Sequence, residues 1–195
     1  MKKPTQKLPK LTLKMDDQRK ATARLREIVL YIAERCSSAD RFGAIKLNKI
    51  LAFADFTAFA RYGRPITGLE YMRQKNGPVP RRMKPVLEQM KRTGEIAVQE
   101  IPVGRHVEHR VVPLRAANVD VLAPTDVAMI NEVIALTWDK TGSQVSDFSH
   151  GRAWEVAGEN GAPIPYEAAL LADRLVPSAA QVARSRELNR KYAWE

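Results

Sequence analysis

The chain has one cysteine, Cys36, and three histidines, His106, His109 and His150. A single thiol excludes an internal disulfide and suits a reducing compartment, so a cytoplasmic location is expected. The cysteine is distant from the histidines, and no metal quartet of standard spacing exists. His106 and His109, three residues apart in a predicted strand, point to opposite faces. No apolar run approaches the roughly eighteen residues of a membrane span, and the basic N-terminus lacks the apolar core of a secretory leader. Phosphate loops of the type G-x-x-x-x-G-K-[ST], dinucleotide fingerprints and G-x-S-x-G elbows are missing too. Ser149 and His150 are adjacent, and neighbours on a helix diverge, so they do not pair as nucleophile and base. Asp139 and Asp147 have no evident partner for acid–base work. The expectation is a protein that is not an enzyme and uses no cofactor or metal.

At 195 residues with 45% hydrophobic and 28% charged content, the chain suits one compact domain able to bury a core. Its net charge of +10 suggests nucleic acid until it is mapped. Residues 1–20 hold seven Lys/Arg and two Asp, and residues 61–92 hold nine basic and two acidic residues. Residues 120–173 reverse the balance, with two basic and nine acidic residues. Polarisation of this kind concerns the steering of partners, not the fold.

Residues 1–17 read as a flexible basic tail, 18–176 as the folded domain, and 177–195 as a polar C-terminal helix or tail in which only Leu188 and Tyr192 share a face. Within the body, Leu25, Ile28, Val29, Ile32, Ala33 and Cys36 keep helical spacing. A second helix carries Leu47, Ile50, Leu51, Ala54 and Ala58 on one face, and Phe53, Phe56 and Phe59 widen its apolar surface, so it is expected to pack on two sides. Gly63 can take the left-handed conformation that ends a helix, and Pro65 cannot continue one. Leu69–Lys75 reads as a strand, Asn76-Gly77-Pro78 as a second turn, and Pro80 as the opening of the next helix, over Arg81–Thr93. Residues 95–114 read as a β-hairpin turning at Gly104. Helices follow from Thr125, an N-cap candidate, and from Ser143. The predicted fold class is α+β, mainly helical, with the helices around one small antiparallel sheet that includes the hairpin.

The order Lys46, Leu47, Lys49, Ile50, Leu51, Phe53, Ala54, Asp55, then Tyr62, Gly63, Pro65, Ile66, Thr67, Gly68, Tyr71, then Gly77, Pro78, Val79 resembles the core signature of the SocA-like antitoxins, the Panacea-domain family. That signature runs K-L-x-K-L-L-x-F-A-D, Y-G-x-P-I-T-G, an aromatic, and G-P-V. A looser second motif is similar at Ser149, His150, Trp154, Gly161, Ile164, Pro165, Tyr166 and Glu167. The chain departs from the family at Ala52, where an aromatic is common, and at Gly151-Arg152, where acidic residues are. Matching segments span roughly residues 25–172. The resemblance assigns structural motif roles to Lys46, Lys49, Asp55, Gly63, Pro65, Gly68, Tyr71, Gly77, Pro78, His150 and Trp154. It implies an antitoxin of a type II toxin–antitoxin pair that binds a cognate toxin protein directly, by occlusion. The alternative it implies is an interaction adaptor delivering a partner to a protease such as ClpXP.

Partner contact is expected at Arg73, Lys75, Arg81, Arg82 and Lys84, which flank the turn at residues 76–80 and would steer an acidic partner. The same residues also read simply as the solvated start of a helix. A DNA-binding regulator is the remaining reading, with Arg81, Arg82 and Lys84 heading a recognition helix. A helix-turn-helix needs a turn of about three or four residues, whereas a strand and two Gly/Pro turns intervene here. Nucleic-acid contact is therefore expected to be non-specific and salt-sensitive, through the N-terminal tail.

Overall fold

A computed structural model describes residues 15–171; the tail expected at the N-terminus and the polar helix expected at 178–192 lie outside this range. Helix α1 (Met15–Arg35) and α2 (Ala44–Tyr62) are followed by the short strands β1 (Tyr71–Gln74) and β2 (Gly77–Pro80), then α3 (Met83–Arg92). A long hairpin of β3 (Ile96–Val103) and β4 (His106–Pro113) leads to α4 (Pro124–Thr137), α5 (Gly142–Phe148), α6 (Arg152–Val156) and β5 (Pro163–Ile164). Single 3-10 turns sit at Val119–Val121 and Tyr166–Leu170. The α+β, mainly helical class is borne out.

Helix α2 is the axle. Leu47, Ile50, Leu51, Ala52, Ala54 and Ala58 are all buried, as are Lys46, Lys49 and Asp55, so little of its circumference faces solvent. It packs against α4, α5, β2 and the 3-10 turn at 166–170. The α1 stripe reaches the same core, with Leu25, Ile28, Val29, Ile32, Ala33 and Cys36 buried. Burial also pushes the Cys36 thiol up to about 11, so it behaves as a small apolar residue. Gly63 ends α2 at φ 69°, donating its amide to the Phe59 carbonyl.

The sheet departs from expectation. There are two: a three-stranded sheet in the order β2-β1-β5 and the separate hairpin β3-β4. Residues 77–80, read as a turn, form an antiparallel strand in register with β1, Tyr71 opposite Pro80 and Gln74 opposite Gly77. Only Lys75 and Asn76 form the connection, with Gly77 at φ 90°. The prolines that hid this strand occupy positions where a strand tolerates them. The Arg81 amide donates to the Glu70 carbonyl at 2.8 Å. Antiparallel pairing alternates, so Val79 and Gly77 also direct their amides at β1, while Pro78 and Pro80 face outward, where no donor is needed. On its other side β1 exchanges Arg73 N–H to Ala162 O and Gly161 N–H to Arg73 O, each 2.8 Å. The two-residue β5 came from 90 residues downstream and carries no periodicity to announce it.

The remaining helices follow their caps. Pro124, not Thr125, opens α4, with Ala123 as N-cap. Thr141 caps α5 in a capping box with Gln144, two residues before the expected start. At its base the β3–β4 hairpin is tied to α1 through Glu95. Burial opposes its charge, but hydrogen bonds from Arg26, Thr93 and Arg115 carry Glu95 down to about 2.

Leu51 is 1% exposed at the centre of α2. Leu51→Ala is expected to cost about 2–5 kcal/mol in denaturant unfolding; a cost below about 1 kcal/mol would contradict a close-packed axle.

Candidate functional site

The signature residues fall into two buried clusters around α2. The first centres on Asp55, which is 0% exposed. Its carboxylate accepts the Thr67 amide at 2.7 Å, the Thr67 hydroxyl, and the Tyr71 hydroxyl at 2.7 Å. Tyr166 approaches at 3.4 Å and donates at 2.7 Å to the Leu69 carbonyl. Burial raises the Asp55 carboxyl above its ordinary value against the opposing pull of these donors. Tyr71 and Tyr166 are likewise pushed up, by burial and then by the neighbouring carboxylate. Rings follow the hydrogen bonds: Phe56 lies 5.2 Å from both tyrosines, and Phe59 stacks on Tyr166 at 5.6 Å. Asp55 thus fixes the loop 63–70 and the strand after it to the axle.

The second cluster satisfies carbonyls of the β1–β2 connection, each from a different element. Lys49 Nζ of α2 donates to Pro78 O at 2.9 Å. Ser146 Oγ of α5 donates to Asn76 O at 2.9 Å, and Trp154 Nε1 of α6 donates to Gln74 O at 3.0 Å. The first of these covers a carbonyl on the edge of β2, and the prolines beside it leave no amide bare. Gly77 lies so close that a Cβ there would collide with Ser149 Oγ and sit 2.8 Å from Lys49 Nζ. Glycine is therefore required at 77 twice over, by φ and by space. Lys46, on the same helix, closes the far end of α4, donating to Trp138 O at 2.7 Å and Lys140 O at 3.0 Å, where a cation also suits the helix C-terminus. Desolvation lowers both lysines, Lys49 to about 7.

Each expected partner-binding residue has a definite place. Arg73 is half-buried: its guanidinium lies 3.6 Å over the Trp154 ring and its Nε donates to Trp154 O at 3.1 Å. Lys75 is exposed at the hairpin tip. Arg81, Arg82 and Lys84 are exposed at the hairpin base, Arg81 pairing with Glu70 at 2.9 Å. Strand rise puts tip and base about 14 Å apart, so the structure does not gather the five into one patch.

What sequence reading did not single out is an open groove of about 520 Å³ between α2, the α5–α6 segment and the 3-10 turn at 166–170. Phe53, Phe56, Trp154 and Ile164 form its apolar lining, and Asp147 and Glu155 stand on it as well. Phe148 is 75% exposed, edge-on to Phe53 at 5.7 Å. His150 also lines it, 4.2 Å from the Trp154 ring, with Nε2 buried and unpartnered. A phenylalanine at the very end of a short helix was the one available signal for the groove.

Among the described residues no three His, Cys, Asp or Glu side chains are grouped to hold a metal ion, and no helix is long and apolar enough to cross a membrane. What the arrangement can do is present a shaped surface on a braced scaffold. Residues 47–155 match the family model described as "Antitoxin SocA-like, Panacea domain", a span that runs from most of α2 through most of α6 and covers more than half of the chain. No curated protein and no solved structure matches.

Lys49 yields a test. Between about 7 and 10.5 the unfolded chain holds a proton on this amine that the folded chain has shed, so stability rises with pH in that window. From pH 7 to 9 Lys49 is expected to contribute a gain of about 2 kcal/mol; Lys46 adds in the same direction, and the raised Cys36 thiol opposes it toward the upper end in wild type and variant alike. Urea unfolding of wild type and Lys49→Met across that range should show most of this gain lost in the variant. Equal pH dependence in both would mean that the amine is not desolvated.

Proposed function

The chain belongs to the SocA-like antitoxin, Panacea-domain family, and from that premise we propose that it neutralises a cognate toxin protein by binding it directly, in a type II pair, in the cytoplasm. The observation that carries the reading is the family match over residues 47–155. The fold is in keeping with it. The titratable groups of the signature, Lys46, Lys49 and Asp55, are committed to hydrogen bonds inside the domain, in keeping with a structural role. Inhibition then comes from occlusion: a rigid surface covers the toxin, and no bond is made or broken.

Charge assists the encounter. Arg81, Arg82 and Lys84 at the hairpin base, with Lys75 at the tip, are exposed and would attract acidic surface on the toxin. The Arg81–Glu70 pair is itself exposed and holds Arg81 only loosely. Arg73 supports the hairpin from inside, through Trp154, so its part is to position the loop.

Co-expression with the protein encoded by the adjacent gene should relieve the growth arrest that protein causes alone, and the two should co-purify. Persistent arrest with both proteins soluble and abundant would refute neutralisation. The Arg81→Glu/Arg82→Glu double variant should associate more slowly than wild type, and the deficit should shrink at high salt as screening takes over. An unchanged on-rate at low salt would remove these residues from the encounter.

A further inference from the structure

We propose that the groove between α2 and the α5–α6 segment is the anchoring site for the toxin, and that it takes a basic segment carrying a large apolar side chain. The inference rests on the antitoxin reading and names the chemistry of the surface that reading requires.

Three observations converge on the groove. First, its apolar lining is open: Phe148 stands 75% exposed against Phe53, and Leu171, also on the groove, is 46% exposed. Large aromatics left uncovered on a rigid support are the residue type that dominates binding at interface centres, and contiguous exposed apolar surface marks interaction sites. Phe148 owes nothing to the core, so its exposure is not a by-product of packing. Second, the groove is acidic. Asp147 and Glu155 line it, and neither makes an ion pair among the described residues. They belong to the 120–173 stretch, with nine acidic residues against two basic. An acidic partner would be repelled there, whereas lysines or arginines flanking an apolar anchor would meet complementary charge. Third, His150 Nε2 in the wall is buried and unpartnered. A buried polar atom left without a partner is costly, so the wall beside Trp154 holds an unmet polar demand.

The support is stiff enough to serve. Trp154 is pinned to the β1–β2 hairpin through Gln74 O and flanked by Arg73 and His150, while α5 is tied down through Ser146 to Asn76 O. Little ordering remains to be done on binding, which favours slow dissociation. The hairpin base then governs the encounter and the groove governs residence, so the two surfaces separate kinetically.

The test uses the full-length chain and, as probes, the purified product of the adjacent gene and overlapping synthetic peptides spanning it. Phe148→Ala is expected to fold normally, because the side chain is mostly exposed, and to weaken binding about 30-fold or more through faster dissociation. Asp147→Lys/Glu155→Lys should also weaken binding, and Val103→Ala on the distant hairpin should not. Peptides that bind should carry Lys or Arg around a large apolar residue and should lose affinity for Phe148→Ala. If wild type binds and both groove variants bind equally well, or if the binding peptides are acidic, the groove proposal is overturned while neutralisation stands. If wild type fails to bind the gene product at all, the antitoxin reading falls and the groove proposal with it.

Discussion

A carboxylate with no solvent exposure must be held by donors or it empties the fold of stability, and Asp55 sits wholly buried in the middle of the central helix. Its donors are the backbone and hydroxyl of Thr67 and the hydroxyl of Tyr71, with Tyr166 at the margin. Those three residues belong to a loop, to strand β1 and to a turn more than 90 residues further on. One side chain therefore sets where the small sheet lies against α2, and with it where the β1–β2 hairpin projects. The lysines complete the frame: Lys49 covers the edge of β2 and Lys46 closes the end of α4. Helix α2 thus carries its three buried charged groups at the points where other elements must be attached.

This accounts for a signature rich in charged residues in a domain of an antitoxin-like family. Lys46, Lys49 and Asp55 look like chemistry when read as letters. In the fold each is a fastening, and two are satisfied by groups that the same signature supplies: Thr67 and Tyr71 for Asp55, and the Pro78 carbonyl for Lys49, while Lys46 reaches the Trp138 and Lys140 carbonyls outside it. Gly77 belongs with them, since its missing side chain is the space that Lys49 and Ser149 fill. A scaffold specified this tightly leaves exposed residues such as Phe148, Asp147 and Glu155 without a part in the frame.

Much of the frame was legible in the chain. Periodicity located α1 and α2, placed Leu51 and Cys36 in the core, and Gly63 and Gly104 ended elements where glycine conformation demands. Four things were not. Strand β2 was concealed because Pro78 and Pro80 signal a turn unless their outward orientation is known, and that depends on register, a tertiary fact. Strand β5, which pairs with the other side of β1, is two residues long and distant in sequence, so no local pattern could reveal it. The basic run from Arg73 to Lys84 reads as one patch, yet strand alternation turns Arg73 inward onto Trp154 while the hairpin separates Lys75 from Arg81. The groove has the same origin. Phe53 reads as core and Phe148 as a helix end, and only the packing of α5 on α2 makes them neighbours.

The central claim is that the signature works through the Asp55 network as a fastening and not as a contact surface. Equilibrium denaturant unfolding of Asp55→Ala tests it most directly. The substitution strands the Thr67 amide and two hydroxyls in the core, and the account predicts a loss of about 3 kcal/mol or more, with the variant failing to hold a folded state at moderate denaturant. A variant as stable as wild type, whose only defect was weaker toxin binding, would contradict it.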